Sequence, residues 1–367
     1  MSSDEYTVRP FRAGDRQGYL RLYETVFGGR KDRRWFAWKY EDNPYVDHVP
    51  IYVTERDGDL VGARSFFCLR LRADGHTYES LQPCDTMVHP DHQRKGLFTR
   101  MTERAIERYA DESFDLFFDF PNEKSLPGNL KLGWEVVETI PTYYRIQHPG
   151  AFTPFGDESL VGRVVDGVGA AAMSAYFDLR GARARRLARS AGVTVSRYDA
   201  IPAETLVSLY EEYVPDRFHA CRDETFYGWR YENPEYEYTT YVARRGDDPV
   251  GAAVVGTSAR RGVANLMDVH PLTGGSTHGR VYAALLRTLL RDAEDVPIVA
   301  VRRGVVPEPV LSSFGFFPDT TVPLSQFTQP AILVARPLTD EHSWTIDGKD
   351  LTDPASWVVS ICEKDTT

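Results

Sequence analysis

The chain has 367 residues, 42% of them hydrophobic and 12% aromatic, and its 53 acidic residues outnumber 43 basic ones for a formal net charge of -10. That composition belongs to a globular protein and excludes disorder, while the length exceeds one ordinary core and implies about two domains. Cys68, Cys84, Cys221 and Cys362 stand singly, without CxxC or Cys/His spacing, which argues against a disulfide scaffold and a zinc site and fits a reducing cytoplasm.

The opening MSSDEYTVRP has no apolar core, so no secretory leader is read there and a cytoplasmic location is expected. The most apolar stretch, VVDGVGAAAMSAYF from Val164, is interrupted by Asp166 and two glycines. It falls short of the roughly 18 to 20 apolar residues that a bilayer span needs. Only seven of the basic residues are Lys and 36 are Arg. A Lys-poor, acid-rich surface resembles halophilic proteins, and a GC-rich genome gives the same bias; the two are compatible.

In chain order, an opening strand near Tyr6 precedes a helix around GYLRLYETVF, with Leu20, Tyr23 and Phe27 at helical spacing. PIYVTE and LVGARSFFCLRL flank the turn dipeptide Asp57-Gly58 and read as a hairpin. ESLQPCDTMV reads as a further strand that stops at Pro90, followed by a helix from about Leu97 to Tyr109 and the strand FDLFFDF. A short helix then leads to LGW, and a last strand pair ends near YYRIQ. Strands alternating with helices predict an α+β (α/β) architecture, a mixed sheet flanked by helices.

The chain also repeats itself. LYE at Leu22 aligns with LYE at Leu209, Trp38 in FAWKYEDNP with Trp229 in YGWRYENP, and Gly62 with Gly251. MVHP aligns with DVHP, Gly133 in LKLGWEV with Gly315 in SSFGFFP, and IPTYYRIQ with VPLSQFTQ. Six blocks in one order predict two copies of one fold. The expected boundaries are a first domain at 1–149, a linker at 150–192, a second domain at 193–335 and a tail at 336–367. The linker carries Arg180, Arg183, Arg185, Arg186 and Arg189 with no aromatic interleaved, so a solvated helix between domains is expected rather than a nucleic-acid or membrane contact.

One stretch carries chemistry. VHPDHQRKGLF, residues 88 to 98, places Arg94, Lys95 and Gly96 at a helix start, where free N–H groups and the helix dipole favour anions. A strand ending V-x-P, then Q/R-x-x-G, then a helix resembles the GNAT superfamily of N-acetyltransferases, well over residues 5 to 148 and as a degenerate copy over about 193 to 335. The resemblance implies two GNAT-like acyl-CoA N-acyltransferase folds in tandem, with acetyl-CoA as cosubstrate and no metal. It implies an acetyl-CoA site formed by Met87, Val88, Gln93, Arg94, Lys95, Gly96, Leu97, Phe98, Thr99, Asn122 and Ser125. Successive N–H groups of the turn would take the pyrophosphate, the preceding strand the pantetheine arm, and Asn122 the pantetheine amide. Phe98 replaces the family's second small residue.

Acyl transfer needs a deprotonated amine, an oxyanion donor and a proton for the leaving thiolate. The family often supplies that proton from a Tyr four residues before the Gly of its LGF segment, where this chain has Asn129. Tyr143 and Tyr144 are the candidate stand-ins, and Asp85, three residues before Val88, is the candidate base. His89 and Glu41 recur as His270 and Glu232 in the other copy and read as structural. The function expected is acetyl transfer to a primary amine on a small molecule or peptide, by direct attack in a ternary complex. A Fem-like aminoacyl or peptidyl transferase and a non-catalytic acyl-CoA sensor are the alternatives. The second copy has LTGGSTHGRVY in place of DHQRKGLF and Gly304 in place of Asn122, so one acetyl-CoA per chain is expected.

Overall fold

A computed structural model describes residues 6–148, 186–258, 262–273, 275–322, 324–326, 328–338 and 343–365. The stretch from Val164 and most of the basic linker, including Arg180, Arg183 and Arg185, lie outside the described residues. Among the described residues, no helix is long and apolar enough to cross a membrane.

The first half runs β1 (Thr7–Pro10), α1 (Arg16–Phe27), α2 (Arg33–Phe36), β2 (Ile51–Arg56), β3 (Asp59–Ala73), β4 (His76–Val88), α3 (Leu97–Ala110), β5 (Leu116–Asp119), α4 (Leu126–Lys131), β6 (Glu135–Ile140) and β7 (Thr142–Ile146). The second half follows the same plan. It runs β8 (Thr194–Tyr198), α5 (Ala203–Glu212), β9 (His219–Ala220), α6 (Glu224–Arg230), β10 (Glu237–Arg245), β11 (Asp248–Ser258), β12 (Val263–His270), α7 (Gly279–Asp292), β13 (Ile298–Arg302), α8 (Glu308–Ser313), β14 (Phe317–Pro318) and β15 (Ala331–Pro337). A small hairpin, β16 (Thr345–Ile346) with β17 (Lys349–Asp350), begins the tail. The expected hairpin turn is present: Asp57 and Gly58 have φ of 52° and 88°, the left-handed pair that matches the twist of two antiparallel strands.

Each half builds a mixed sheet, and the halves exchange their last strands. The first sheet has the order β1-β2-β3-β4-β5-β15-β6, with β9 on β3, and the second has the order β14-β7-β13-β12-β11-β10-β8. Strand β7 pairs antiparallel with β13, Tyr143 opposite Val301, while β15 fills the first sheet between β5 and β6, with Val334 opposite Asp119 and Val136. This corrects the expected boundaries, because residues 142–146 belong to the second sheet and residues 331–337 to the first. The last expected strand pair is likewise divided, β6 and β7 lying in different sheets on either side of Pro141. The sixth repeat block slips as well: the strand equivalent to β7 is β15, whereas LSQ within VPLSQFTQ is a 3-10 turn at Leu324–Gln326.

The halves meet on the repeated tryptophans. Trp38 and Trp229 stack at 6.1 Å between ring centroids, and each indole donates to the other's backbone carbonyl, at 3.0 and 2.8 Å. Reciprocal bonds between equivalent residues are the mark of an isologous contact about a two-fold axis. The tail closes the seam. Gln82 on β4 donates to Glu363 O at 2.8 Å and accepts from Asp365 N at 2.6 Å, and Ser360 donates to Met267 O on β12 at 3.0 Å.

Candidate acyl-CoA site

The site is built where β4 and β5 part. These parallel strands pair only at Ser80–Leu116 and Leu81–Phe117. Beyond that point β4 keeps β3 on one edge, up to Gly62 opposite Val88, and its other edge leaves β5. Met87 is buried in the core and Val88 is half-buried, so their backbone rather than their side chains faces the gap.

At the end of β4 a 3-10 turn, Pro90–His92, leads through Gln93 into a doubly left-handed loop: Arg94 has φ of 61° and Gly96 φ of 72°. Gly96 is the N-cap of α3 and makes no side-chain cap bond, and an added Cβ there would meet nothing within 4 Å. The glycine therefore serves its backbone conformation and leaves open space above the helix start. Gln93, Arg94, Lys95, Gly96 and Thr99 are exposed, Leu97 is buried and Phe98 is half-buried. The first N–H groups of a helix lack intrahelical acceptors. With the left-handed loop before them they form a concave, positively polarised nest, flanked by Arg94 and Lys95. Residues and backbone both suit a pyrophosphate.

The opposite wall is α4. Asn122 is exposed, and its Oδ1 accepts from Lys124 N and Ser125 N at 2.9 and 3.0 Å. Its carbonyl oxygen is thus committed to the turn that starts α4, leaving the amide nitrogen to donate to a ligand. Ser125 is half-buried at the N-cap of α4. The bulky Phe98 has a partner on that wall: a Cβ on Gly128 would come within 2.5 Å of its ring. The ring also lies 4.8 Å from the Arg64 guanidinium.

The expectation of a base at Asp85 is corrected. Asp85 sits in the bulge of β3 against β4, with φ of 41°, and is buried. Its carboxylate binds Lys39 Nζ at 2.7 Å and accepts the Tyr40 hydroxyl, and Lys39 binds Asp365 at 3.0 Å. Against the cost of burial, the two carboxylates hold the Lys39 ammonium well above its usual pKa. Cys84, Asp85 and Asp365 have the chemistry to hold a cation, and Lys39 supplies it. The second half also buries a carboxylate against a cation, at a position that is not equivalent in the repeat: Asp268 binds Arg222 at 3.0 Å. Tied to a buried ammonium and to the tail, the Asp85 carboxylate holds the fold.

Tyr143 and Tyr144 also fall away from the expected role. Both lie on β7, outside the sheet that carries the nest. Tyr143 is buried in the second core, and burial, with Glu308 next, raises its pKa. Tyr144 packs against the first core, and burial raises its pKa too. His89 Nδ1 accepts Asp91 N at 3.3 Å, Glu41 pairs with Arg16, and buried His270 bonds the Tyr227 hydroxyl at 2.6 Å.

Sequence reasoning missed a chain of contacts across the gap. Arg64 on β3 donates to Thr86 Oγ1 on β4 and, at 3.0 Å, to Asn129 Oδ1 on α4. Asn129 Nδ2 in turn donates to Asp119 Oδ2 at 3.0 Å. All three charged or amide side chains are buried. Burial lowers the Arg64 pKa to about 10 and raises that of Asp119 to about 7. No local motif marks Asp119, which reads as one more residue of FDLFFDF.

Residues 7–137 match a family described as an acetyltransferase (GNAT) domain. This segment is similar to the GNAT family. It contains β1 through β5, the nest and α4, so the matched family coincides with the site. The GNAT fold extends over both halves. A probable N-acyltransferase from Enterococcus faecalis V583 aligns over 92% of this chain and 73% of its own at 12% identity, with a TM-score of 0.60. A GCN5-related N-acetyltransferase from Anabaena variabilis ATCC 29413 aligns over 91% and 73% at 9% identity, TM-score 0.57. A tandem GNAT protein from the clavulanic acid biosynthesis pathway aligns over 91% of this chain and 99% of its own at 12% identity, TM-score 0.51. No curated protein matches the sequence. At these identities the structural likenesses establish the fold.

Proposed function

We propose that the chain is an N-acetyltransferase that binds one acetyl-CoA in its first half and passes the acetyl group to a primary amine by direct attack in a ternary complex. The observation that carries this reading is the exposed left-handed loop Arg94–Gly96 at the start of α3. It supplies unpaired N–H groups and two cations for a pyrophosphate. The gap between β4 and β5 is where the pantetheine arm would lie, beside the free edge of β4 and the Asn122 amide. The second half supports a single site. Among the described residues from 271 to 279 none has a positive φ, and α7 starts at buried Gly279 behind His278 in place of an exposed cationic loop. Gly304, which stands for Asn122, has no side chain to offer.

The acceptor is a small molecule or peptide carrying a primary amine, which must reach the carbonyl unprotonated. With Asp85 tied to Lys39, its proton leaves to solvent. Isothermal titration of the intact chain with acetyl-CoA tests the reading: one site per chain is expected. Two equivalent sites, or none, would overturn it.

A further inference from the structure

From the chain of contacts across the gap we infer that Asp119 is the proton donor to the departing thiolate. The inference rests on the acyl-transfer reading and assigns a group that reading leaves open.

Asp119 is the last residue of β5, past the point where β5 leaves β4, so it flanks the space into which the thioester would reach. Its two oxygens are fixed from different sides: Oδ1 accepts Phe120 N at 2.7 Å and Oδ2 accepts Asn129 Nδ2 at 3.0 Å. Asn129 cannot turn, because Arg64 binds its carbonyl oxygen and Thr86 binds Arg64. The carboxyl group is therefore held in one orientation by groups on β3, β4 and α4. Each oxygen keeps a second lone pair for a proton. Asn129 itself can hold a carboxyl group but is no acid.

The electrostatics suit the task. Burial favours the neutral acid and raises Asp119 to about 7; Arg64 on β3 opposes this, Asp365 on the tail adds to it, and the Phe120 N–H and Asn129 oppose it. A carboxyl group so placed is substantially protonated at neutral pH, as a general acid must be. In the step itself the amine lone pair forms the C–N bond and the C–S bond breaks with its electron pair on sulfur. The Asp119 proton passes to that sulfur. The nitrogen releases a proton to solvent, and solvent returns one to the carboxylate, so thiol and amide are the only products.

The test measures thiol release from acetyl-CoA with hydroxylamine as acceptor, across pH, in wild type, Asp119→Asn and Asp119→Glu, alongside acetyl-CoA affinity by titration calorimetry. Wild-type turnover should decline as pH rises through about 7, where the acid form is lost. Asp119→Asn should bind acetyl-CoA as wild type does, release thiol about 10²- to 10⁴-fold more slowly and lose that decline. Asp119→Glu should recover part of the rate and keep the decline. Infrared difference spectra should show a protonated carboxyl band titrating near pH 7 that Asp119→Asn lacks. An Asn variant within threefold of wild type, or an unchanged pH profile in it, overturns the donor and leaves the acyl-transfer reading standing. A wild-type chain that binds no acetyl-CoA, or binds it and releases no thiol, overturns that reading and the donor with it.

Discussion

Gly96 and Asp85 show how differently two residues of one strand-loop-helix unit can be read. Gly96→Asp places a Cβ at a left-handed φ and a carboxylate in the phosphate position. The fold should lose only about 1 to 2 kcal/mol, the cost of the left-handed conformation, since nothing lies within 4 Å of that Cβ. Acetyl-CoA affinity should fall at least tenfold in calorimetry, and unchanged affinity would remove the nest from the account. Asp85→Asn should act on stability. It leaves Lys39 buried with Asp365 alone, and breaking a buried pair costs about 3 kcal/mol or more. A lower urea midpoint with an unchanged slope is expected, and acetyl-CoA affinity should not change. The nest was legible because glycine and two cations at a helix start are local. The surroundings of Asp85 were hidden because its partner Lys39 lies 46 positions away, and the other carboxylate on that lysine, Asp365, lies 326 positions from it. Asp119 was opaque because no motif marks it and the Arg64 that orients its partner Asn129 lies 65 positions from that residue.

The elements are legible one by one and misleading in combination. Hydrophobic period and turn dipeptides place α1, α3, α4 and the strands from β1 to β6, since each is a local pattern, and they miss the four-residue α2. They are silent on which sheet a strand joins, because β7 and β15 have equivalent neighbours in both halves. Trp38 and Trp229, one of the six repeated pairs, meet across the seam, and their contact is where the halves should be most sensitive. Trp229→Ala removes the stack on Trp38 and Phe67 and one of the two reciprocal bonds. It should cost about 3 to 5 kcal/mol. Far-UV and near-UV signals should still melt together, because both sheets border that contact. The strand exchange has its own signature. A chain carrying a protease site between residues 149 and 185, cut there, should elute as one species and separate only in denaturant. Halves that part in native buffer would contradict the exchange.

Across the whole molecule, pH acts through groups that pull in opposite directions. Asp268, Glu363 and Asp365 are held low despite burial, by Arg222 for the first two and Lys39 for the third. Their stabilisation is present above the ordinary carboxylate pKa and lost as pH falls below about 4, which should release the tail. Burial depresses His219 to about 4, so its contribution is lost as pH falls from about 6.5. Asp119 is opposite in sign: the folded state binds its proton more tightly, so its contribution is present below about 4 and fades as pH rises to about 7. Asp119→Asn should therefore gain stability relative to wild type between pH 4 and 7, by up to a few kcal/mol, in urea midpoints taken across that range. A constant difference would contradict the assignment.

The exchanged strands also bear on how such a chain is made and inherited. During synthesis, β6 waits for β15, about 190 residues further on, so the half that holds the nest has a gap in its sheet until residues 331–337 have left the ribosome. Long-range pairing of this kind is slow and leaves open strand edges exposed to aggregation. The same gap protects the second copy from deletion. A duplicate without a loop like Arg94–Gly96 would ordinarily be free to decay, yet this one owns the strand that completes its neighbour's sheet. Mutation can alter its surface, but a truncation that removes β15 also dismantles the sheet that carries the nest.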